Sequence, residues 1–204
     1  MTPWDSFFHE KITLIFEQKK DIIDIGGGLR ISDTQGNRYD PRRAWIKKYL
    51  AAVNYKILDP VPDYHPDIIG DIHRMPLDDA SADAIICIAV LEHIENPFKA
   101  FEEMERVLKK GGYCFLYVPF LYYYHAQPGY YGDFWRYTED SLKYLGRNFS
   151  SLEIQKVRGP LETWIHLSPL GRFTLLNLIA RTADTWLKKQ KSRQTSGYYV
   201  FLVK

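Results

Sequence analysis

Between residues 21 and 118 short apolar runs, closed by turns, alternate with longer segments of helical period. Apolar runs that alternate with helices fold as a parallel sheet covered on both faces. The runs lie at residues 21–25, 55–59, 67–71, 82–90 and 113–118, and the most apolar of them, 82–90, is expected at the sheet centre. Between them, Asp40-Pro41, Asn96-Pro97 and Thr138-Glu139-Asp140-Ser141 carry helix-start chemistry, a capping side chain with proline or acids in the first turn. Gly111-Gly112 is expected to stop the helix that opens at Asn96. A first helix is expected over residues 5–18, with Phe8, Ile12, Ile15 and Phe16 on one face. Two late strands, 152–157 and 198–203, flank an amphipathic helix at 170–189. The expected fold is α/β: a Rossmann-like doubly wound sheet, mostly parallel with an antiparallel last strand.

At 204 residues the chain is long enough for one domain with a full core, here 1–204 with an N-terminal helical segment at 1–20. A net charge of +2 supplies no field for a polyanion, so nucleic acid is not an expected partner. The two cysteines, Cys87 and Cys114, sit inside apolar runs, which is neither a disulfide framework nor a metal-ligand spacing. The first residues lack the pattern of a secretory leader. The longest apolar run, 84–91, falls far short of the roughly 20 residues that cross a bilayer. These features point to a cytoplasmic protein that is not integral to a membrane.

In such sheets ligands bind beyond the carboxyl ends of the strands. Gly26-Gly27-Gly28 follows the first run and lets backbone approach a ligand closely, although glycine turns occur in most α/β domains. The dinucleotide fingerprint is met only by its first two glycines, since Ile31 occupies the third position. Asp59 ends the second run and can accept from two ribose hydroxyls, or can simply form the turn before Pro60. Asp71, after the third, can accept from an adenine amine or form its own turn.

Taken together, these residues resemble the class I S-adenosylmethionine-dependent methyltransferases of the type 11 group. The resemblance is carried by Asp24-Ile25-Gly26-Gly27-Gly28, Leu58-Asp59, the stretch from Gly70-Asp71 to Pro76-Leu77, Ser81-Ala82-Asp83-Ala84, Leu91-Glu92-His93 with Pro97, Arg106 to Gly112, and Val118-Pro119. It covers about residues 20–150 and implies S-adenosyl-L-methionine as cofactor. It further implies that Gly26, Gly27 and Gly28 pass the methionine part, with Asp24 supporting its amino group. Asp59 and Pro60 would hold the ribose, Asp71 and Ile72 the adenine, and Ala89, Val90 and Leu91 would floor the site beneath the sulfonium. Arg30 is read either as a donor to the cofactor carboxylate or as a solvated side chain. The loop from 31 to 39 is read as part of a lid or as an inert insertion.

Residues 120–137 interleave tyrosines with His125, Asp133 and Arg136 around two glycines and a proline, as ligand-pocket loops do. The segment also resembles one found in methyltransferases linked to sugar or envelope pathways, and the expected acceptor is a small-molecule hydroxyl. His125 is the expected base, because imidazole titrates near neutrality. Asp133 would orient it, and Arg136 would pair with an acceptor carboxylate or phosphate. The alternative for Asp133 and Arg136 is an ion pair anchoring the loop. No metal is expected from the spacing of His, Asp and Glu. The helix at 170–189, followed by Lys188, Lys189 and Lys191, reads as a cover for the sheet; a homodimer surface or a membrane contact are its other readings. Two rival functions remain: a cofactor-binding subunit without catalysis, and a NAD or nucleotide-sugar enzyme.

Overall fold

A computed structural model describes residues 1–31, 39–189 and 192–204. Seven strands form one sheet: β1 (Asp21–Ile25), β2 (Asn54–Asp59), β3 (Ile68–Ile69), β4 (Ala82–Ile88), β5 (Leu108–Pro119), β6 (Ser151–Val157) and β7 (Gly197–Val203). Their order is β3-β2-β1-β4-β5-β7-β6. The first five are parallel, and β7 runs antiparallel to both β5 and β6. Strand order reverses between β1 and β4, which opens a crevice at their carboxyl ends. The doubly wound expectation holds, with the antiparallel strand where it was placed.

Alternation along β4 divides the core. Ile85 and Cys87 face one layer, packed with Phe101 and Met104 of α2 (Pro97–Val107) and Leu142 of α3 (Glu139–Leu145). Ala84, Ile86 and Ile88 face the other, packed with Ile12, Ile15 and Phe16 of α1 (Pro3–Gln18) and with Ile46. Buried on both faces, β4 has the continuous apolar run that a central parallel strand requires.

Several elements depart from expectation. The third strand shrinks to two residues, because it pairs only with the end of β2 at the sheet edge. Gly111-Gly112 does not stop α2; the helix ends at Val107, and β5 already begins at Leu108. The segment after Asp40 is a 3-10 helix, Pro41–Ala52, although Asp40 caps it as expected by accepting from the Arg42 N–H. The loop from 31 to 39 falls largely outside the described residues, as does Lys191.

The largest departure is in the late helical region: an unexpected helix, α4 (Pro160–Leu167), precedes the helix expected at 170–189, which is itself a 3-10 turn at Pro169–Arg172 followed by α5 (Thr174–Trp186). Helix α5 packs on α4 instead of covering the sheet. Leu175, Leu178, Ile179 and Trp186 consequently stay exposed. Asp184 on α5 is buried and accepts from the Leu161 and Glu162 N–H groups at 3.1 and 2.9 Å, so it caps α4 from a neighbouring helix.

Candidate active site

The cleft lies at the carboxyl ends of β1, β2 and β4 and has a volume of about 680 Å³. That is room for a nucleoside-sized ligand and an acceptor. Gly26 turns away from β1 with φ +75°, and a Cβ there would stand 2.5 Å from Val90 Cγ2. Gly28 has no room either: a Cβ would meet the Ile88 carbonyl oxygen at 2.6 Å. The glycines are therefore demanded by close packing against the end of β4, and they leave the mouth of the cleft open.

Asp24, expected beneath the cofactor's amino group, does not line the cleft. It is fully buried, and its oxygens accept from the Gly28 N–H at 3.1 Å, the Leu29 N–H at 3.0 Å and the Tyr55 hydroxyl. Its role is to clamp the glycine turn onto β1. Burial pushes its carboxyl up to about 6, opposed by the Tyr55 hydroxyl, the two N–H donors and the Arg43 charge. A raised acid favours its neutral form in the folded chain. Its stabilising contribution is thus complete below about pH 4 and lost as pH climbs through about 6. The shift corresponds to about 3 kcal/mol. Urea denaturation between pH 4 and 7 should show stability of the natural chain falling relative to Asp24→Asn, and parallel curves would refute the assignment.

Asp59 and Pro60 line the cleft at the end of β2, and Asp71 and Ile72 line it beyond β3. Asp59 is almost wholly buried, with Oδ1 accepting from the Val61 N–H at 2.9 Å. Asp71 is exposed and accepts from the His73 N–H at 2.9 Å, while His73 Nδ1 lies 2.7 Å from the same oxygen. Both acids thus accept hydrogen bonds in their turns and both line the cleft. Ala89, in the left-handed region at φ 55°, and Val90 line the cleft, whereas Leu91 is core and Gly27 does not reach the lining. Arg30 lines the cleft and is exposed.

The 120–137 loop closes the other end. The Phe134 and Trp135 N–H groups both donate to the Glu92 carbonyl, and the Trp135 indole N–H donates to the Ile94 carbonyl. His125, Tyr130 and Tyr131 line the cleft, whereas Asp133 and Arg136 do not. Asp133 is sealed and takes two hydrogen bonds from Arg136, which also donates to the carbonyls of Tyr122, Tyr123 and Trp135. Arg136 is spent on the loop and has no donor turned to an acceptor; the anchoring alternative describes it. Its charge holds Asp133 far below the usual carboxylate range. Asp133 does reach His125, accepting from its backbone N–H at 2.8 Å and lying 3.2 Å from Nδ1. The neighbouring Glu92 carboxylate, foremost among several groups, raises the His125 imidazole above its ordinary value.

Glu92 was not singled out in the sequence, whereas His93 in the Leu91-Glu92-His93 motif reads either as lying near the cofactor or the acceptor entry or as a helix-start residue. Glu92, His93 and His125 bring one ligand atom each within 4.8 Å of one another. His125 joins the other two through the 120–137 loop. Trp4, Phe8 and His9 of α1 also line the cleft, as does Arg158 at the end of β6. Nothing in their spacing signals this, because α1 and β6 meet the cleft only when the sheet is assembled.

A sheet in this order, with a glycine turn after β1 and acidic tips after β2 and β3, defines the class I methyltransferase fold. Residues 46–116 match the family model described as a methyltransferase domain. The chain is also similar to an uncharacterized protein of Methanocaldococcus jannaschii, at 32% identity over 113 residues, which are 53% of this chain and 47% of that one. The match thus spans about half the length of that curated relative. Among solved structures, a S-adenosylmethionine-dependent methyltransferase from Archaeoglobus fulgidus superposes with a TM-score of 0.62 at 14% identity, covering 97% of this chain and 92% of that one. Phosphoethanolamine N-methyltransferase 2 of Haemonchus contortus, solved with S-adenosyl-L-methionine, gives 0.51 at 14% identity, covering 97% of this chain and 51% of that one. The fold is that of the class I S-adenosylmethionine-dependent methyltransferases, residues 46–116 carry the match to a methyltransferase domain, and S-adenosyl-L-methionine is the cofactor of proteins with this fold. The cleft fits that cofactor: a Cβ-free turn, two acidic tips on one side and the apolar Ile72, Ala89 and Val90 beside them.

Proposed function

We propose that the protein transfers a methyl group to a hydroxyl of a small-molecule acceptor. The observation that supports this best is the continuity of one cleft from Asp59 and Asp71 at its cofactor end to His125 and the tyrosine wall at the other. When bound, S-adenosyl-L-methionine supplies a methyl carbon activated by its sulfonium. Asp59 and Asp71 offer acceptors to the ribose hydroxyls and the adenine amine. Gly26 and Gly28 keep side chains out of the path of the methionine part, and Arg30 offers donors to its carboxylate.

The protein's task at the acceptor end is to hold an oxygen in line with that carbon and away from water. Tyr130 and Tyr131 wall this end, and the His93 ring packs against Tyr131 at a tilt of 48°, with ring centroids 4.4 Å apart. His125 lies where it can take the hydroxyl proton, and Asp133 orients its ring from the far side. The small net charge favours a small acceptor over nucleic acid.

The test combines calorimetric binding of S-adenosylhomocysteine with a radiolabelled methyl-transfer screen over hydroxylated small molecules. Saturable binding with transfer to one acceptor class is expected, together with loss of transfer but retained binding in His125→Ala. Failure to bind S-adenosylhomocysteine would end the proposal; binding without transfer until a second protein is added would favour a non-catalytic subunit.

A further inference from the structure

Glu92 is buried at the floor of the acceptor end, only 1% exposed, and its Oε2 has no hydrogen-bond partner among the described residues. Its Oε1 stands 3.6 Å from His125 Nε2 and 4.0 Å from His93 Nε2. Those separations are too long for hydrogen bonds and suit atoms that share a partner between them. A sealed carboxylate left this way is costly unless something pairs with it.

Both imidazoles are fixed from behind. His93 Nδ1 lies 2.7 Å from the Gly132 carbonyl oxygen, and His125 Nδ1 lies 3.1 Å from the Tyr123 carbonyl oxygen and 3.2 Å from Asp133 Oδ2. These acceptors place the ring proton on Nδ1 and leave the Nε2 lone pair facing Glu92. Outer partners of this kind orient metal-bound histidines. The two rings line the cleft while Glu92 lies behind them, so a group held by all three would present its open side to an acceptor.

We infer that Glu92, His93 and His125 hold a divalent transition-metal ion, with its remaining positions open to the cleft. Two imidazoles and one carboxylate suit zinc, iron(II), cobalt(II) or nickel(II), whereas magnesium and calcium call for oxygen donors. A protonated His125 alone would approach only Oε1 and leave Oε2 bare. The inference deepens the proposed function and rests on it only for the consequence to the acceptor. A coordinated hydroxyl is acidified and releases its proton to solvent, so the ion takes over the proton removal assigned above to the free imidazole.

Cobalt(II) titration of the chelator-stripped full chain tests this without turnover, since nitrogen-bound cobalt absorbs visibly in a low-symmetry site. Absorbance rising to a plateau at one ion per chain and bleached by zinc is expected. His93→Ala and His125→Ala should each weaken uptake by at least about 100-fold. Glu92→Leu should abolish it and still fold, because it removes an unpaired buried charge. S-adenosylhomocysteine binding is measured on the same samples. A chain that binds the nucleoside but takes up no cobalt, or variants that fold and retain full uptake, would overturn the metal site and leave the methyltransferase proposal standing. Cobalt uptake with no nucleoside binding would do the reverse.

Discussion

Replacing Arg136 with methionine is expected to lower the stability of the protein by about 3–5 kcal/mol, the cost of leaving one member of a buried ion pair alone. The Asp133 side chain is wholly buried, and Arg136 supplies two of its hydrogen bonds; the His125 backbone N–H supplies another. The same guanidinium ties down the carbonyls of Tyr122 and Tyr123, so the substitution loosens the loop as well as stranding a charge. Chemical denaturation should show the loss directly. Asp133→Asn together with Arg136→Met should recover part of it, because the double change removes the stranded charge. A single substitution that costs less than about 1 kcal/mol would contradict the anchoring role and reopen Arg136 as a ligand for the acceptor.

Asp59→Ala is expected to weaken S-adenosylhomocysteine binding by about 2–3 kcal/mol, or roughly 30- to 150-fold, since hydrogen bonds to a charged acceptor are worth this much where water is excluded. Asp59 also accepts from the Val61 N–H, so alanine releases the turn at Pro60 as well. Asp59→Asn separates the effects. It keeps an oxygen for Val61 and removes the charge, and it should weaken binding about tenfold with the melting temperature little changed. Calorimetry on the two variants decides the matter: equal affinity in all three proteins would show that Asp59 is a turn residue only.

The elements legible in the sequence are those whose cause is local. Strand β1 was expected at its observed bounds, because its apolar run is closed by glycines that only a tight turn explains. Thr138 was readable as a cap, since both partners of its capping box lie within three residues. Helix α4 had no such signal. Its N-cap is Gly159, without a side chain, and the group that satisfies its first N–H groups is Asp184, supplied by another helix. The apolar stripe of α5 was legible, but the surface it packs on was not. A hydrophobic period shows that a face can be buried without showing against what.

The candidate site divides the same way. By itself the sequence determined the sheet, its glycine turn and the acids at the tips of β2 and the β3 connection, because strand ends and turns are short-range patterns. Only the tertiary structure decided which acids reach the cleft: Asp24 is drawn under the turn, and Asp133 is sealed against Arg136. It also decided that Glu92, His93 and His125 meet. Their meeting depends on a loop crossing from the end of β5 to the end of β4, and long-range contacts of that kind leave no periodic trace along the chain.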